Sequence, residues 1–461
     1  MTDPVVNHTS PPNGDTPEYR EQLLGGPQRT ALMVGLVGWI VFLVLAGWIF
    51  TQVPKEMAWK QAFLSYLTGF VFWMLIGFGS VFFLMIQYVT GGRWGILLRR
   101  PLEANGRTIF WLGFALFIPV AIAMVMGGSS IYWWSEHAEH MSHNGEAGEH
   151  KAPPSKDPDD PIDNVNPHLE FDEDEKVADW LSPGWTTWAP GAIIRGFLYI
   201  AIFSGLVYVM WSRNGRTAEY DENLDVAAAA RNRQKYISSF GLFVFAITMT
   251  LIATDWIMSL EKTFTSSMFP VIMFDNAAVS AYCIGLLTLL YIKRKGDPRF
   301  QNLFPPTEQI HLGSLLLAFT LAWTYFNFSQ YMLIWIGNLP EEIPYYLKRT
   351  RGGWGWYAAL AVVFHFPIPF LLLLFRHFKA NPKALRGMCI MLICVIFVDV
   401  MWWISPSMSH AEMPKFYWLM DVAAWVGVGG LWLFVFLGQL KKHPLLPTRE
   451  VYLLEAYHHG H

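Results

Sequence analysis

Long apolar runs alternate with short polar connections along the chain. Ten of the runs are long enough to cross a hydrocarbon core about 30 Å thick, which takes roughly 20 apolar residues in a helix. They extend from Ala31 to Phe50, Phe63 to Val89, Ile109 to Met126, Ala192 to Trp211 and Ile237 to Met258. The second half repeats the pattern from Val271 to Tyr291, Leu312 to Ile336, Tyr357 to Phe375, Met388 to Ile404 and Trp418 to Leu437. The pattern predicts an all-α polytopic membrane protein with ten transmembrane helices. Its parts are an N-terminal tail (1–30), helices 1 to 3 (31–126), a long loop (127–191), helices 4 to 10 (192–437) and a C-terminal tail (438–461). The first run follows a polar tail, lacks a small-residue cleavage site and exceeds a signal-peptide core, so it reads as a retained helix.

Composition agrees: 53% of residues are hydrophobic, 15% are charged and the mean hydropathy is +0.29, on the apolar side of soluble domains. Net charge is only −3 and the basic residues form no stripe, which argues against nucleic acid. Those basic residues are unevenly shared between alternate loops, with 22 Lys and Arg on the side of the termini and 10 on the other. The positive-inside rule then predicts cytoplasmic termini and a 127–191 loop on the outside. That loop carries acidic residues together with His137, His140, His143 and His150. No carboxylate or Cys pattern fixes a metal geometry there, nor at the C-terminal His458, His459 and His461, and no metal site is assigned. Cys283, Cys389 and Cys394 all fall inside predicted helices and read as small apolar packers, with no haem-attachment or iron–sulfur pattern.

Candidate chemistry rests on the few polar residues inside the apolar runs. An Asp at the centre of a membrane helix costs about 2.5–3.5 kcal/mol on insertion scales, so each asks for a partner or a use. They are Arg195, Asp255, Asp275 with Asn276, Asn327, Gln330, His365, Asp399 and Asp421. Alternating helix direction places Arg195, Asp255, Asp275, Gln330, Asp399 and Asp421 in the outer half, with His365 near the middle. Thr248, Asp255 and Ser259 share one helix face, and Thr320, Thr324, Asn327, Tyr331 and Asn338 share another. Both faces are expected to point inward. Two readings stay open: an outward-opening polar cavity that carries protons or holds a polar head group, or buried pairs, such as Arg195 with an aspartate, that only fix packing. The proton-path candidates are Asp255, Glu261, Asp275, His365 and Asp399, and the cavity candidates Arg195, Asn327, Gln330 and Asn338. His365 alone cannot hold a low-spin haem, which needs two axial ligands, so no covalently bound or His-ligated cofactor is expected; a bound quinone stays open.

Three segments carry a family resemblance: TGGRWGILLRRPLEA (Thr90 to Ala104), ATDWIMSLE (Ala253 to Glu261) and FSQYMLIWIGNLPEEIPYYLKR (Phe328 to Arg349). They resemble signatures of the NrfD-like membrane subunits of bacterial alternative complex III, in particular the second, ActF-type subunit. The resemblance implies two four-helix bundles with two peripheral helices. It also implies membership of a quinol:electron-acceptor oxidoreductase of the respiratory chain, one passing electrons to cytochrome c. The partners it implies are an NrfD-like quinol-binding subunit, a periplasmic iron–sulfur protein and c-type cytochromes, which would hold the haem and iron–sulfur centres. On that footing the chain is a cofactor-free structural partner and a candidate proton path with no complete active site of its own, and the lack of carboxylates in the inner half implies either a water-filled half channel or no through-path, the latter being the favoured reading. Asp255 and Glu261 match the acidic positions of one motif, and Asn338, Glu341 and Glu342 those of another. After Glu261 similar proteins have Pro, an aromatic and Ser, whereas Lys262, Phe264 and Ser266 follow here, and a Lys beside Glu261 could neutralise it. The rival readings are a secondary transporter or ion channel, and a purely structural scaffold. Against transport, no pair of Gly/Pro-broken helices is evident in corresponding halves of the sequence.

Overall fold

The computed structural model describes residues 15–91, 95–126, 131–132, 189–211, 224–261, 264–295, 304–338, 342–351, 353–408 and 413–445. The loop histidines, the C-terminal histidines, Lys262 and Glu341 lie outside this set. Among the described residues ten helices are long and apolar enough to cross a membrane: Pro17–Gln52, Lys55–Thr90, Arg99–Val125, Gly191–Trp211, Ala229–Leu260, Phe269–Arg294, Pro306–Gly337, Trp354–Leu374, Pro382–Ser407 and Leu419–Lys441. They are numbered here as spans 1 to 10. The chain is a multi-pass, all-α membrane protein.

Span 1 starts within the segment expected to be an N-terminal tail. Thr16 caps it by accepting Tyr19 N–H at 3.2 Å, and Pro17 and Glu18 fill the first turn. Helix formation needs only caps and propensity, so it need not wait for the apolar run to begin. Arg20 and Arg29 are therefore helical.

Spans 2 to 5 pack as one four-helix group: span 2 lies against spans 3 and 5, and span 4 against both 3 and 5. Spans 6 to 9 form a second, with span 6 against 7 and 9 and span 8 against the same two. Spans 1 and 10 lie along each other, and span 10 also packs on 2 and 3. Burial follows this plan: 89% of the apolar window of span 2 is covered by protein against 22% for span 1. A polytopic bundle thus spends its aromatic and aliphatic residues both on internal packing and on a lipid-facing surface.

Small residues set the closest approaches. A Cβ on Gly79 would fall 1.9 Å from the Ala277 carbonyl oxygen, so the junction of spans 2 and 6, which joins the two groups, admits no side chain there. A Cβ on Gly430 would fall 2.1 Å from the Gly35 Cα, closing span 10 onto span 1. The ends of these two spans are also tied, with Lys441 bound to Glu21 at 2.5 Å and the Leu445 N–H to Asp15 Oδ2 at 2.8 Å.

Two spans are interrupted. Span 3 passes through a π-helical turn at Ile109–Gly113. Span 8 breaks after His365: Phe366 adopts φ −116°, ψ −74°, and a new helix starts at Pro367, which has no N–H to continue the ladder. Span 3 is second in its group and span 8 third, so the interruptions do not fall at corresponding positions.

Candidate functional site

The intramembrane polar residues sort into separate clusters. In the first four-helix group, Asp255 ends span 5 and is matched to Arg195 on span 4. Arg195 Nε donates to Oδ2 at 2.7 Å and Nη2 to Oδ1 at 3.3 Å, a two-pronged pair. Tyr199, one turn after Arg195, donates to the same Oδ2 at 2.6 Å. Ser259 Oγ closes the helix end on the Asp255 carbonyl at 2.6 Å, and Tyr132 Oη reaches the next carbonyl, of Trp256, at 3.2 Å. The expected inward stripe of Thr248, Asp255 and Ser259 is buried. Of the two readings of Arg195, the ion pair with an aspartate is the one the geometry shows.

The second group assembles His365, Asp399 and Asp275 from three spans. His365 Nδ1 lies 3.1 Å from Asp399 Oδ2, and Trp323 Nε1 on span 7 donates to the same oxygen at 3.0 Å. The Trp323 ring also stacks on the imidazole, 4.0 Å between centroids and 12° from parallel, which fixes its orientation. The break in span 8 puts His365 at the end of its half-helix, aimed at span 9. Asp275 on span 6 is within electrostatic reach of Asp399. This cluster is left with open hydrogen-bonding capacity: His365 Nε2 and Asp275 Oδ2 are buried without a partner among the described residues, as are both amide atoms of Asn276 next to Asp275 and, elsewhere on span 7, Gln330 Oε1. Buried polar atoms of this kind are places for water or a moving proton, since leaving them dry costs about 1–3 kcal/mol each.

The remaining candidates are placed differently. Asn327 is half-buried and donates to the Trp323 carbonyl of its own helix at 2.9 Å. The far end of the expected span 7 stripe turns outward: Tyr331 is 40% exposed and Asn338 is exposed. Asn338 is a left-handed helix cap at φ 45°, a conformation Asn tolerates better than most residues. Glu261 faces Lys348 Nζ at 3.3 Å and Arg349 Nη1 at 3.1 Å, so its counter-charges come from the short helix Ile343–Thr350. Arg349 is fully buried, donates to the Trp402, Trp403 and Tyr345 carbonyls, and lies 3.7 Å over the Tyr345 ring. Burial pushes the Tyr345 phenol up to about 12, with Arg349 opposing and Glu261 adding to the rise. Among the described residues no group of three His, Cys, Asp or Glu is placed to hold a metal ion.

Trp323 and the Lys348–Arg349 pair are the site residues the sequence does not announce. Trp323 sits four residues before Asn327 on the polar face of span 7, a usable signal masked by its apolar ring. Nothing local ties Arg349 to Glu261, 88 positions away. No protein-family model matches the chain, and no curated protein matches it.

Proposed function

We propose that the chain is a cofactor-free membrane subunit of a quinol:electron-acceptor oxidoreductase of the bacterial inner membrane, an ActF-type partner of alternative complex III, in which it scaffolds the assembly and conducts protons. The observation that carries the reading is the buried His365–Asp399–Asp275 cluster: protonatable groups from three spans, with unfilled hydrogen-bonding positions, in a bundle whose described residues offer no metal-ligand set. The three sequence motifs and the two four-helix groups flanked by spans 1 and 10 support the family assignment. His365 and Asp399 would exchange a proton through their shared hydrogen bond, Trp323 holding the acceptor oxygen in place, and Asp275 would take it toward the outer half. Asp255, clamped by Arg195 and Tyr199, would act as an anchor. Electrons would leave through iron–sulfur and c-type haem centres of partner subunits outside the membrane.

Purifying the tagged chain from its native membrane tests this directly. The expected preparation contains quinol-oxidising activity with c-type haem and iron–sulfur spectra, and His365→Gln lowers protons released per quinol while the subunits stay together. A chain that isolates alone and drives solute uptake in vesicles instead selects the secondary-transporter reading. The mid-membrane break at His365 beside buried carboxylates is the feature favouring that alternative.

A further inference from the structure

Asp421 stands apart from both clusters. It lies in the first turn of span 10, fully buried, with serine hydroxyls beside it from two other spans. Ser405 Oγ at the end of span 9 donates to Asp421 Oδ2 at 3.3 Å. Ser65 on span 2 lies beside the same carboxyl, and its hydroxyl accepts from Gln61 Nε2 at 2.9 Å. Ser65, Ser405 and Gln61 are themselves fully buried, and Asp421 Oδ1 has no hydrogen-bond partner among the described residues. The phenols of Tyr357 on span 8 and Tyr417 just before span 10 are within electrostatic reach of Asp421. No Lys, Arg or His is paired with it among the described residues.

The pocket therefore contains a conflict. The neighbouring hydroxyls favour a negative oxygen, while burial without a balancing charge disfavours it. A protein cation resolves the same conflict at Asp255; among the described residues none is paired with Asp421, and a small cation from solution would complete the site. We propose that Asp421, Ser65 and Ser405 form a binding site for one exchangeable monovalent cation, H+ or Na+. The proton would sit on Oδ1; Na+ would take Oδ1 and the hydroxyl oxygens, the hard donors such ions select. The site lies where span 2 of the first group, span 9 of the second and span 10 of the outer pair meet, so loading it ties all three together. The inference does not depend on the quinol reading.

The full chain in its native assembly, reconstituted in lipid nanodiscs, provides the test. In the proton arm, infrared difference spectra of wild type against Asp421→Asn show the loss of a protonated-carboxyl C=O band. In the sodium arm, the unfolding temperature rises with NaCl but not with choline chloride, and Asp421→Asn abolishes the rise, as expected for a ligand bound only by the folded state. The double variant Ser65→Ala with Ser405→Ala keeps the carboxyl and covers any failure of Asp421→Asn to assemble: it shifts the C=O band or weakens the sodium dependence. Absence of both signals in wild type, or a double variant that alters neither, overturns the proposal. Quinol turnover is not read in any arm, so failure here leaves the proposed function standing.

Discussion

Asp255 in the first four-helix group and Asp399 in the second are equally buried, each 4% exposed, yet their surroundings differ in kind. Asp255 receives a guanidinium on both oxygens and a phenol besides. Asp399 receives an indole N–H and an imidazole on one oxygen, and no arginine or lysine among the described residues. The first arrangement holds its carboxylate between a guanidinium and a phenol. The second joins a carboxylate to an imidazole whose far nitrogen has no partner among the described residues. The same residue type at the same burial thus meets a fixed counter-charge in one group and ring nitrogens in the other, and on the proposed function only the second passes protons.

Removing the fixed counter-charge has the largest expected effect. Arg195→Leu leaves Asp255 buried with only hydroxyl partners, and loss of one member of a buried pair costs about 3–5 kcal/mol. Denaturant unfolding in detergent should show that loss, and the double change Arg195→Leu with Asp255→Leu should recover most of it. A single variant that unfolds like wild type would erase the contrast between the two aspartates.

The end of the second group at the short helix Ile343–Thr350 has its own fastener, built from Glu261, Arg349 and Tyr345, and it can be read through pH. An unfolded tyrosine ionises near 10, whereas burial holds Tyr345 neutral to about 12. Between these values the unfolded chain releases a proton that the folded chain keeps, so stability present below about pH 10 is lost as pH rises toward 12. The loss amounts to about 2–3 kcal/mol. Tyr345→Phe should flatten that part of the stability profile, and an unchanged slope would mean the phenol is not held as described.

How much of this was readable beforehand depends on whether the signal is local. Ten runs of apolar residues give ten spans, because crossing the membrane constrains length and polarity within each segment. The aspartates and His365 are conspicuous for the same reason. Their partners are not: Arg195 meets Asp255 across 60 positions, and Asp399 reaches Trp323 across 76. Pro367 is visible as a residue, but membrane helices often absorb a proline, so the break that aims His365 emerges only from the folded backbone. Asn338 misleads in the opposite direction, since its place on a polar stripe conceals its role as a cap.

Neutralising Asp399 should affect stability far less than breaking the Arg195 pair. Asp399→Asn keeps an acceptor oxygen for Trp323 and strands no arginine or lysine among the described residues, so the expected loss is about 1–2 kcal/mol, the scale of one hydrogen bond to a charged group. Thermal unfolding of Asp399→Asn beside Arg195→Leu makes the comparison quantitative. If the asparagine variant is the less stable of the two, Asp399 is structural and the proton assignment loses its basis.

The smallest effect lies at the end of the first group, where span 10 ends beside Trp211 of span 4. His443 follows span 10, sits edge-on to Trp211 at 5.5 Å and is held down to about 4, first by burial and then by repulsion from Arg107, Arg100 and Arg20, with Glu103 opposing. An unfolded histidine takes up its proton near 6.5. As pH falls from about 6.5 to 4, the unfolded chain therefore binds a proton that the folded chain refuses, and stability present above that window is lost within it. Solvent reaches part of the ring, so screening reduces the contribution to on the order of 1 kcal/mol. His443→Gln should remove this acid-side slope while leaving the alkaline slope of Tyr345 untouched. The two profiles then report on opposite ends of the two groups separately, and a glutamine variant that changes both would show that the ends are coupled through the bundle.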